Sequence, residues 1–183
     1  MRIPTSSSAA LLITGTVGSG KTTTAGCVGA LLREGATPYA VVDLDALRDA
    51  WPSPRSDPFY EQLMLANLRD VARNHLAAGA RRLVLAGVLE DPAKRPLYEQ
   101  AVGVPLTVCR LRVDLSDVTA RLRQRHRDDR DALDWYLHRS GELDAILDAA
   151  GIGDVEVEVA AGQVPSQVAR AVAVAVGWDA DAD

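Results

Sequence analysis

The stretch that decides the fold is "AALLITGTVGSGKTTT", residues 9–24. From Gly15 to Thr22 it fits the pattern G-x-x-x-x-G-K-[ST]. The short apolar run before the pattern predicts a strand buried on both faces, and the residues after it predict a helix that begins at Gly20–Lys21 and stops at Gly35. A glycine loop between a buried strand and a helix is the setting in which this motif grips nucleotide phosphates.

Each position of the loop has a mechanical reason. Gly15, Gly18 and Gly20 allow backbone conformations that a side chain would obstruct. The turned backbone points N–H groups at phosphate oxygens, Lys21 reaches the β- and γ-phosphates, and Thr22 offers a hydroxyl to Mg²⁺. We therefore expect ATP and Mg²⁺ as cofactors, with Thr22 as the metal ligand. The predicted nucleotide-binding loop residues are Gly15, Thr16, Val17, Gly18, Ser19, Gly20, Lys21, Thr22 and Thr23.

The rest of the chain alternates strand and helix patterns. Further strands are predicted at 38–43, 81–87, 106–113 and 154–160. A long helix capped by Asp57 and a second helix capped by Ser116 are predicted between them, followed by a helical stretch over 131–150. Such alternation predicts a parallel sheet covered by helices on both faces, with ligands at the carboxyl ends of the strands. We expect one domain over residues 1–178 and a disordered acidic tail over 179–183.

The segment "VVDLDALR" places two carboxylates at the end of the second predicted strand. Asp43 and Asp45 are two residues apart, so in an extended segment they face the same side. One could orient water around Mg²⁺ and the other could accept a proton from an attacking hydroxyl, although Asp45 also fits the N-cap of the next helix. Arg48 has two interpretations, an anchor for an anionic acceptor or a surface helix arginine.

The third predicted strand lacks an aspartate at its end. "RRLVLAG" finishes in Ala86–Gly87, and Glu90 and Asp91 further on are interpreted as loop residues. Motor and transport ATPases usually place a carboxylate at that strand end. The sequence also lacks an N-K-x-D motif, which argues against guanine recognition of the GTPase type.

An arginine-rich segment, "ARLRQRHRDDR", follows the fourth predicted strand. Arginines that close over a transferring phosphoryl group stabilise its charge and exclude water, so we predict a lid over about 116–140. The alternative is a charged outer face paired with Asp128 and Asp129. Arg121 and Arg125 share one helix face and are the first candidates to point inward, with Arg139 next.

Composition limits the partners. The formal net charge of −5 argues against nucleic acid as a charge-driven partner. No apolar run is long enough for a membrane span, and Cys27 and Cys109 read as thiols in a reducing compartment. We expect a cytoplasmic monomer or homodimer with neither nucleic acid nor membrane as its partner.

With its glycine loop, its acid on strand two and its late arginine helix, the chain resembles the small P-loop kinases. These include adenylylsulfate, shikimate, gluconate and nucleoside monophosphate kinases and antibiotic phosphotransferases. The resemblance implies a three-layer α/β P-loop NTPase fold with the strand order 2-3-1-4-5 and an arginine lid. It also implies that the loop after strand five, at Gly162 and Gln163, lies near the adenine.

We therefore expect an ATP-dependent phosphotransferase that moves the γ-phosphoryl group of ATP–Mg²⁺ to a hydroxyl or phosphate of a small molecule. The alternatives are a nucleotide-binding regulator or slow NTPase without an acceptor, and a nucleoside monophosphate kinase. The expected catalytic residues are Lys21, Asp43, Asp45, Arg121 and Arg125. The expected acceptor-binding residues are Asp43, Asp45, Arg48 and Arg139.

Overall fold

The computed structural model describes residues 7–179. Five strands form one parallel sheet, and numbered in chain order they lie side by side as 2-3-1-4-5, as predicted. Of the tail predicted over 179–183, residues 180–183 lie outside the described part of the chain. The strands are β1 (Ala9–Thr14), β2 (Tyr39–Asp43), β3 (Arg82–Ala86), β4 (Leu106–Val113) and β5 (Val155–Val159).

Helices cover both faces of the sheet. Alternate residues of β1 enter two separate cores, with Ala10 and Leu12 on one side and Leu11 and Ile13 on the other. This double burial explains why β1 is apolar from Ala9 to Ile13. The helices are α1 (Lys21–Glu34), α2 (Glu61–Ala77), α3 (Arg95–Val102), α4 (Leu115–Arg125), α5 (Arg130–Ala150) and α6 (Pro165–Ala175). One face is covered by α2, α3 and the second half of α5, and the other by α1, α4 and α6.

The predicted start of the long helix after strand two was wrong by three residues. Helix α2 begins at Glu61, after Tyr60 in a left-handed conformation (φ 50°), rather than directly after Asp57. The Asp57 carboxylate nevertheless accepts hydrogen bonds from the N–H groups of Glu61 (2.7 Å) and Gln62 (3.0 Å). The aspartate therefore caps the helix from across a turn, satisfying N–H groups of the first helical turn that have no partner within the helix.

The predicted cap of the arginine helix was wrong by two residues. Asp114, and not Ser116, occupies the N-cap of α4, and its carboxylate accepts from the N–H of Ser116 at 2.7 Å. Hydrogen bonding to the Ser116 side chain, and then to its backbone N–H, lowers the pKa of Asp114. Because the sequence offers several capping residues in succession, local pattern alone could not choose between them.

A buried arginine ties α5 to the sheet. Arg110 on β4 is 1% exposed and pairs with Asp144 (3.2 Å) and Asp148 (2.8 Å) of α5. Its Nε has no hydrogen-bond partner among the described residues. These ion pairs hold the second half of α5 against β4.

Of the helices in the described range 7–179, none has both the length and the apolar character required to span a bilayer.

Candidate active site

The glycine loop lies at the carboxyl edge of the sheet, between β1 and α1. Gly15 adopts a φ of 151° and a Cβ there would lie 2.8 Å from the Leu111 carbonyl oxygen. Gly20 adopts a φ of 96° directly before the first residue of α1. The loop thus needs glycine for close approach at one end and for a left-handed conformation at the other. Its backbone leads into the N-terminus of a helix, which favours an anion.

Lys21 folds back across this loop. Its ammonium donates to the carbonyl oxygens of Gly15 (3.1 Å) and Thr16 (2.9 Å). The residue as a whole is partly accessible, but the ammonium is enclosed, and this burial lowers the pKa of Lys21 to about 8. The carboxylates of Asp45 and Asp43 act in the opposite direction and limit the shift. The lysine is thus a cation in a site from which water is largely removed, ready for an anionic partner.

This pKa predicts the pH dependence of nucleotide binding. The negative charge of the bound phosphates should raise the pKa of Lys21 above about 8, its value in the nucleotide-free protein. Above pH 8, nucleotide binding should therefore be accompanied by uptake of a proton. Affinity for ATP should be level below pH 8 and fall as pH rises, by up to about tenfold per pH unit. Calorimetry at pH 9 in two buffers of different ionisation enthalpy measures the uptake. Lys21→Met should abolish it, and equal uptake in both proteins would contradict the assignment.

Thr22 and Asp43 meet beside the loop. The Thr22 hydroxyl donates to Asp43 Oδ2 at 3.0 Å, and the N–H of Asp45 donates to Asp43 Oδ1 at 2.9 Å. Hard oxygen donors of this kind suit Mg²⁺, which keeps several waters and needs few protein ligands besides phosphate oxygens. Across residues 7–179, no cluster of three or more His, Cys, Asp or Glu could hold a metal by itself. The residues therefore fit a magnesium ion shared with a nucleotide.

Asp45 and Arg48 line the same cavity as the loop and pair with each other. Asp45 stands before a short 3-10 turn, Ala46–Arg48, but its side chain makes no capping hydrogen bond. Its Oδ1 instead accepts from Arg48 Nε at 3.0 Å, in an ion pair with the same guanidinium. No donor among the described residues reaches its Oδ2. Asp45 therefore has one oxygen committed to Arg48 and one available to a ligand.

A single cavity of about 1190 Å³ joins these groups. It exceeds the roughly 300–1,000 Å³ of an ordinary ligand pocket, so it has room for two substrates side by side. The loop and α1 line one end. The other end is formed by charged and aromatic side chains that we call the acceptor wall: Asp45, Arg48, Asp57, Phe59, Glu61, Glu90, Lys94, Tyr98, Trp135 and Arg139.

Helix α4 lies over the loop. Val118 and Leu122 pack so closely on Gly18 that a Cβ there would lie 3.2 and 3.3 Å from them. Arg121 and Arg125 line the cavity, and Arg121 Nη1 lies 4.0 Å from where a Cβ of Gly20 would be. The inward helix face is thus the one predicted.

Helix α5 contacts the base of the loop. The Thr16 hydroxyl donates to the carbonyl oxygen of Ser140, and both residues are buried. Arg139, the residue before Ser140, is 14% exposed in its side chain and pairs with Glu90 and with Glu142 (2.8 Å). The loop and the acceptor wall are therefore linked through one turn of α5.

The predicted adenine end also lies on this cavity. Gly162 and Gln163 line it, and the N–H of Ala160 donates to Gln163 Oε1 at 3.0 Å. That hydrogen bond orients the side-chain amide.

The elements that carry this site match a known protein family. A family described as AAA domain matches residues 11–148. The chain belongs to this family. The match runs from β1 to the last turn of α5 and so includes the glycine loop, the second-strand carboxylates and the arginine helix. The comparison with curated proteins finds no match.

Solved structures show that this AAA domain has the fold of the small P-loop kinases. The tunicamycin resistance protein of Deinococcus radiodurans has a TM-score of 0.65 at 21% identity, over 93% of this chain and 96% of that one. The Mycobacterium tuberculosis APS kinase, solved with AMPPNP and APS, gives 0.59 at 22% identity, over 93% and 98%. A gluconokinase from Sinorhizobium meliloti gives 0.57 at 15% identity, over 92% and 91%.

Most sequence-predicted site residues of the AAA domain meet at this cavity. Gly15 and Thr16 do not line the cavity. They lie at the base of the glycine loop, where the Thr16 hydroxyl donates to the Ser140 carbonyl oxygen. The cavity receives the other predicted residues: Val17, Gly18, Ser19, Gly20, Lys21, Thr22, Thr23, Asp43, Asp45, Arg48, Arg121, Arg125, Arg139, Gly162 and Gln163.

Sequence reasoning missed much of the acceptor wall. Glu61 and Lys94 form an ion pair (2.5 Å) across the cavity, and Glu90, interpreted only as a loop residue, pairs with Arg139. Charges at the start of a helix look like an ordinary solvated face, so Glu61 and Lys94 gave no signal. The rim position of Glu90, just after β3, was the one usable hint.

Aromatic side chains contribute part of the cavity lining. Of the three aromatic residues between β2 and α2, Phe59 lines the cavity, whereas Trp51 is 91% exposed and Tyr60 donates its hydroxyl to the Pro52 carbonyl oxygen outside it. Trp135, from α5, supplies aromatic surface that the sequence did not indicate.

Proposed function

We propose that this AAA domain is an ATP-dependent phosphotransferase that moves the γ-phosphoryl group of ATP–Mg²⁺ to a hydroxyl of a small molecule. The observation that carries the proposal is the single cavity that holds a phosphate loop at one end and a separate charged wall at the other. An enzyme that only hydrolysed ATP would not need the second end.

The donor half positions the triphosphate. The N–H groups of the loop and the N-terminus of α1 hold its oxygens, and Lys21 contributes the positive charge that the buried loop lacks. Thr22 and Asp43 would hold Mg²⁺, which neutralises charge on the β- and γ-phosphates. Of the two carboxylates, we assign Asp43 to the metal, because its Oδ2 accepts a hydrogen bond from the Thr22 hydroxyl. Its Oδ1 accepts from the backbone N–H of Asp45.

The acceptor half positions the hydroxyl. Asp45 is the candidate general base, because its Oδ2 is available while Arg48 holds the carboxylate in place through Oδ1. A carboxylate held in this way can accept the hydroxyl proton as the oxygen attacks the γ-phosphorus. Arg121 and Arg125 on α4 would lie over the equatorial oxygens, stabilise their charge and keep water out.

Two matched variants separate these functions. Asp43→Asn should raise the Mg²⁺ concentration needed for half-maximal activity and lower kcat. Asp45→Asn should lower kcat by roughly 10²-fold with an unchanged Mg²⁺ requirement, as expected on losing a general base. The measurement is ADP release against Mg²⁺ concentration with a responsive acceptor. Identical Mg²⁺ profiles for the two variants would rule out this division.

The proposal itself is tested by acceptor-dependent ADP release over a panel of hydroxylated metabolites, antibiotics and nucleoside monophosphates. A large rise with an alcohol supports it. A response limited to monophosphates would support a nucleotide kinase. ADP release that no acceptor changes, together with tight nucleotide binding, would replace the proposal with a slow NTPase or a nucleotide-binding regulator.

A further inference from the structure

Every cation of the acceptor wall is already paired with a carboxylate. Arg48 donates from Nε to Asp45 at 3.0 Å and from Nη1 to the Phe59 carbonyl oxygen at 3.3 Å. Lys94 Nζ lies 2.5 Å from Glu61 Oε2. The hydrogen bond to Glu61 is the main cause of the raised pKa of Lys94, with attraction to the same carboxylate adding to it.

Arg139 is the most enclosed of these cations. One nitrogen pairs with Glu90 and the other with Glu142 at 2.8 Å, and its guanidinium carbon lies 5.6 Å from the centre of the Phe59 ring. Two carboxylates and an aromatic face leave little of its charge for a ligand. Arg139 thus orders the wall and is not a free anion anchor.

The wall as a whole carries more negative than positive charge. Four carboxylates line it against three cations. Phe59 and Trp135, which are 56% and 55% exposed, add aromatic surface that attracts cations. The carboxylates are Asp45, Asp57, Glu61 and Glu90, and the cations are Arg48, Lys94 and Arg139.

This charge balance selects the acceptor. An anion that entered the cavity would have to displace a carboxylate from its cation and would then lie next to that displaced carboxylate, which repels it. An amine can instead bind to a carboxylate that remains paired with its cation. We infer that the acceptor is an alcohol without a phosphate, sulfate or carboxylate group, and that an amino group on it strengthens binding. The inference rests on the proposed phosphotransferase function and names its acceptor class.

One arm of the test uses acceptors that differ only in charge. Two amine, neutral and acid series serve: glucosamine, glucose and glucuronate, and 3-amino-1,2-propanediol, glycerol and glycerate. With saturating ATP–Mg²⁺, the kcat/KM for ADP release should fall from amine to neutral to acid, with the acid at least roughly tenfold below the neutral compound. Preference for the acid in either series would overturn the inference.

The second arm needs no substrate. Sulfate is titrated into protein saturated with AMPPNP–Mg²⁺, which occupies the phosphate loop, and binding is followed by calorimetry. The wild-type protein should show no saturable binding. Glu61→Gln releases Lys94 and should create a saturable sulfate site, with an affinity at least roughly tenfold above the weakest binding that the titration detects. Glu61→Gln/Lys94→Met is the matched control and should lose that site.

The two arms separate the two possible failures. If no acceptor raises ADP release but sulfate behaves as expected, the phosphotransferase proposal fails and the charge selectivity of the wall stands. If wild-type protein binds sulfate saturably and Lys94→Met removes that binding, the charge inference fails whatever the enzyme activity.

Discussion

Lys21→Met should lower kcat for acceptor-dependent ADP formation by about 10³-fold, because loss of one preorganised donor to the developing phosphoryl charge has an effect of this size. Methionine has a similar length without the charge. The free ammonium donates only to the carbonyl oxygens of Gly15 and Thr16 and is destabilised by burial, so its removal should not unfold the protein. Steady-state kinetics and thermal denaturation together measure both effects.

Lys94→Met provides the matched control, because it makes the same substitution at the other end of the cavity. Lys94 pairs with Glu61 in the acceptor wall, whereas Lys21 donates to the carbonyl oxygens of Gly15 and Thr16 in the loop. Its nucleotide affinity should therefore stay within about twofold of the wild-type value. Retention of more than a tenth of wild-type kcat in Lys21→Met would show that the loop is not the donor site.

Arg110→Ala should lower the free energy of unfolding by about 3 kcal/mol, which corresponds to a Tm decrease of about 10 °C for a chain of this size. The substitution leaves a cavity beneath β4 and removes the cation that pairs with Asp144 and Asp148. This value lies at the lower end of the range for the loss in free energy of unfolding when one partner of a buried ion pair is removed. We expect the lower end because both carboxylates are partly exposed to water. Urea denaturation followed by circular dichroism measures the change.

Arg112→Ala is its matched control, two residues along the same strand. Arg112 also pairs with Asp148 (3.0 Å) and Glu156 (3.4 Å), but its side chain is 35% exposed. Solvent screening should hold its effect below about 1 kcal/mol. Equal denaturation midpoints for the two variants would mean that burial of Arg110 adds nothing to the attachment of α5.

The parts of the site that the sequence predicted are contiguous in the chain. The glycine loop needs only its own residues, and Asp43 and Asp45 follow directly from the end of a strand. The inward face of α4 was predictable because residues four apart share a helix face, which places Arg121 beside Arg125. In each case a short-range spacing rule was sufficient.

The residues that sequence reasoning missed are those whose partners are distant in the chain. Glu90 and Arg139 meet across 49 positions, and Glu61 and Lys94 across 33. The stretch "LTVCRLRV" predicts only a strand that includes Arg110, and nothing in it shows that carboxylates of α5 neutralise this residue. The pairing of such charges depends on how helices pack, which no local pattern records.

By itself the sequence determined that this chain forms a parallel α/β sheet with a phosphate loop at its carboxyl edge, because strand periodicity and glycine spacing are local properties of the backbone. Only the tertiary structure decided what surrounds the second half of the cavity. Arg48 and Arg139 resemble free anion anchors in the sequence, but folding places Asp45 and Glu90 against them. A charged side chain attracts a ligand only to the extent that neighbouring side chains of opposite charge do not already neutralise it. Which side chains are its neighbours depends on how the helices and strands pack.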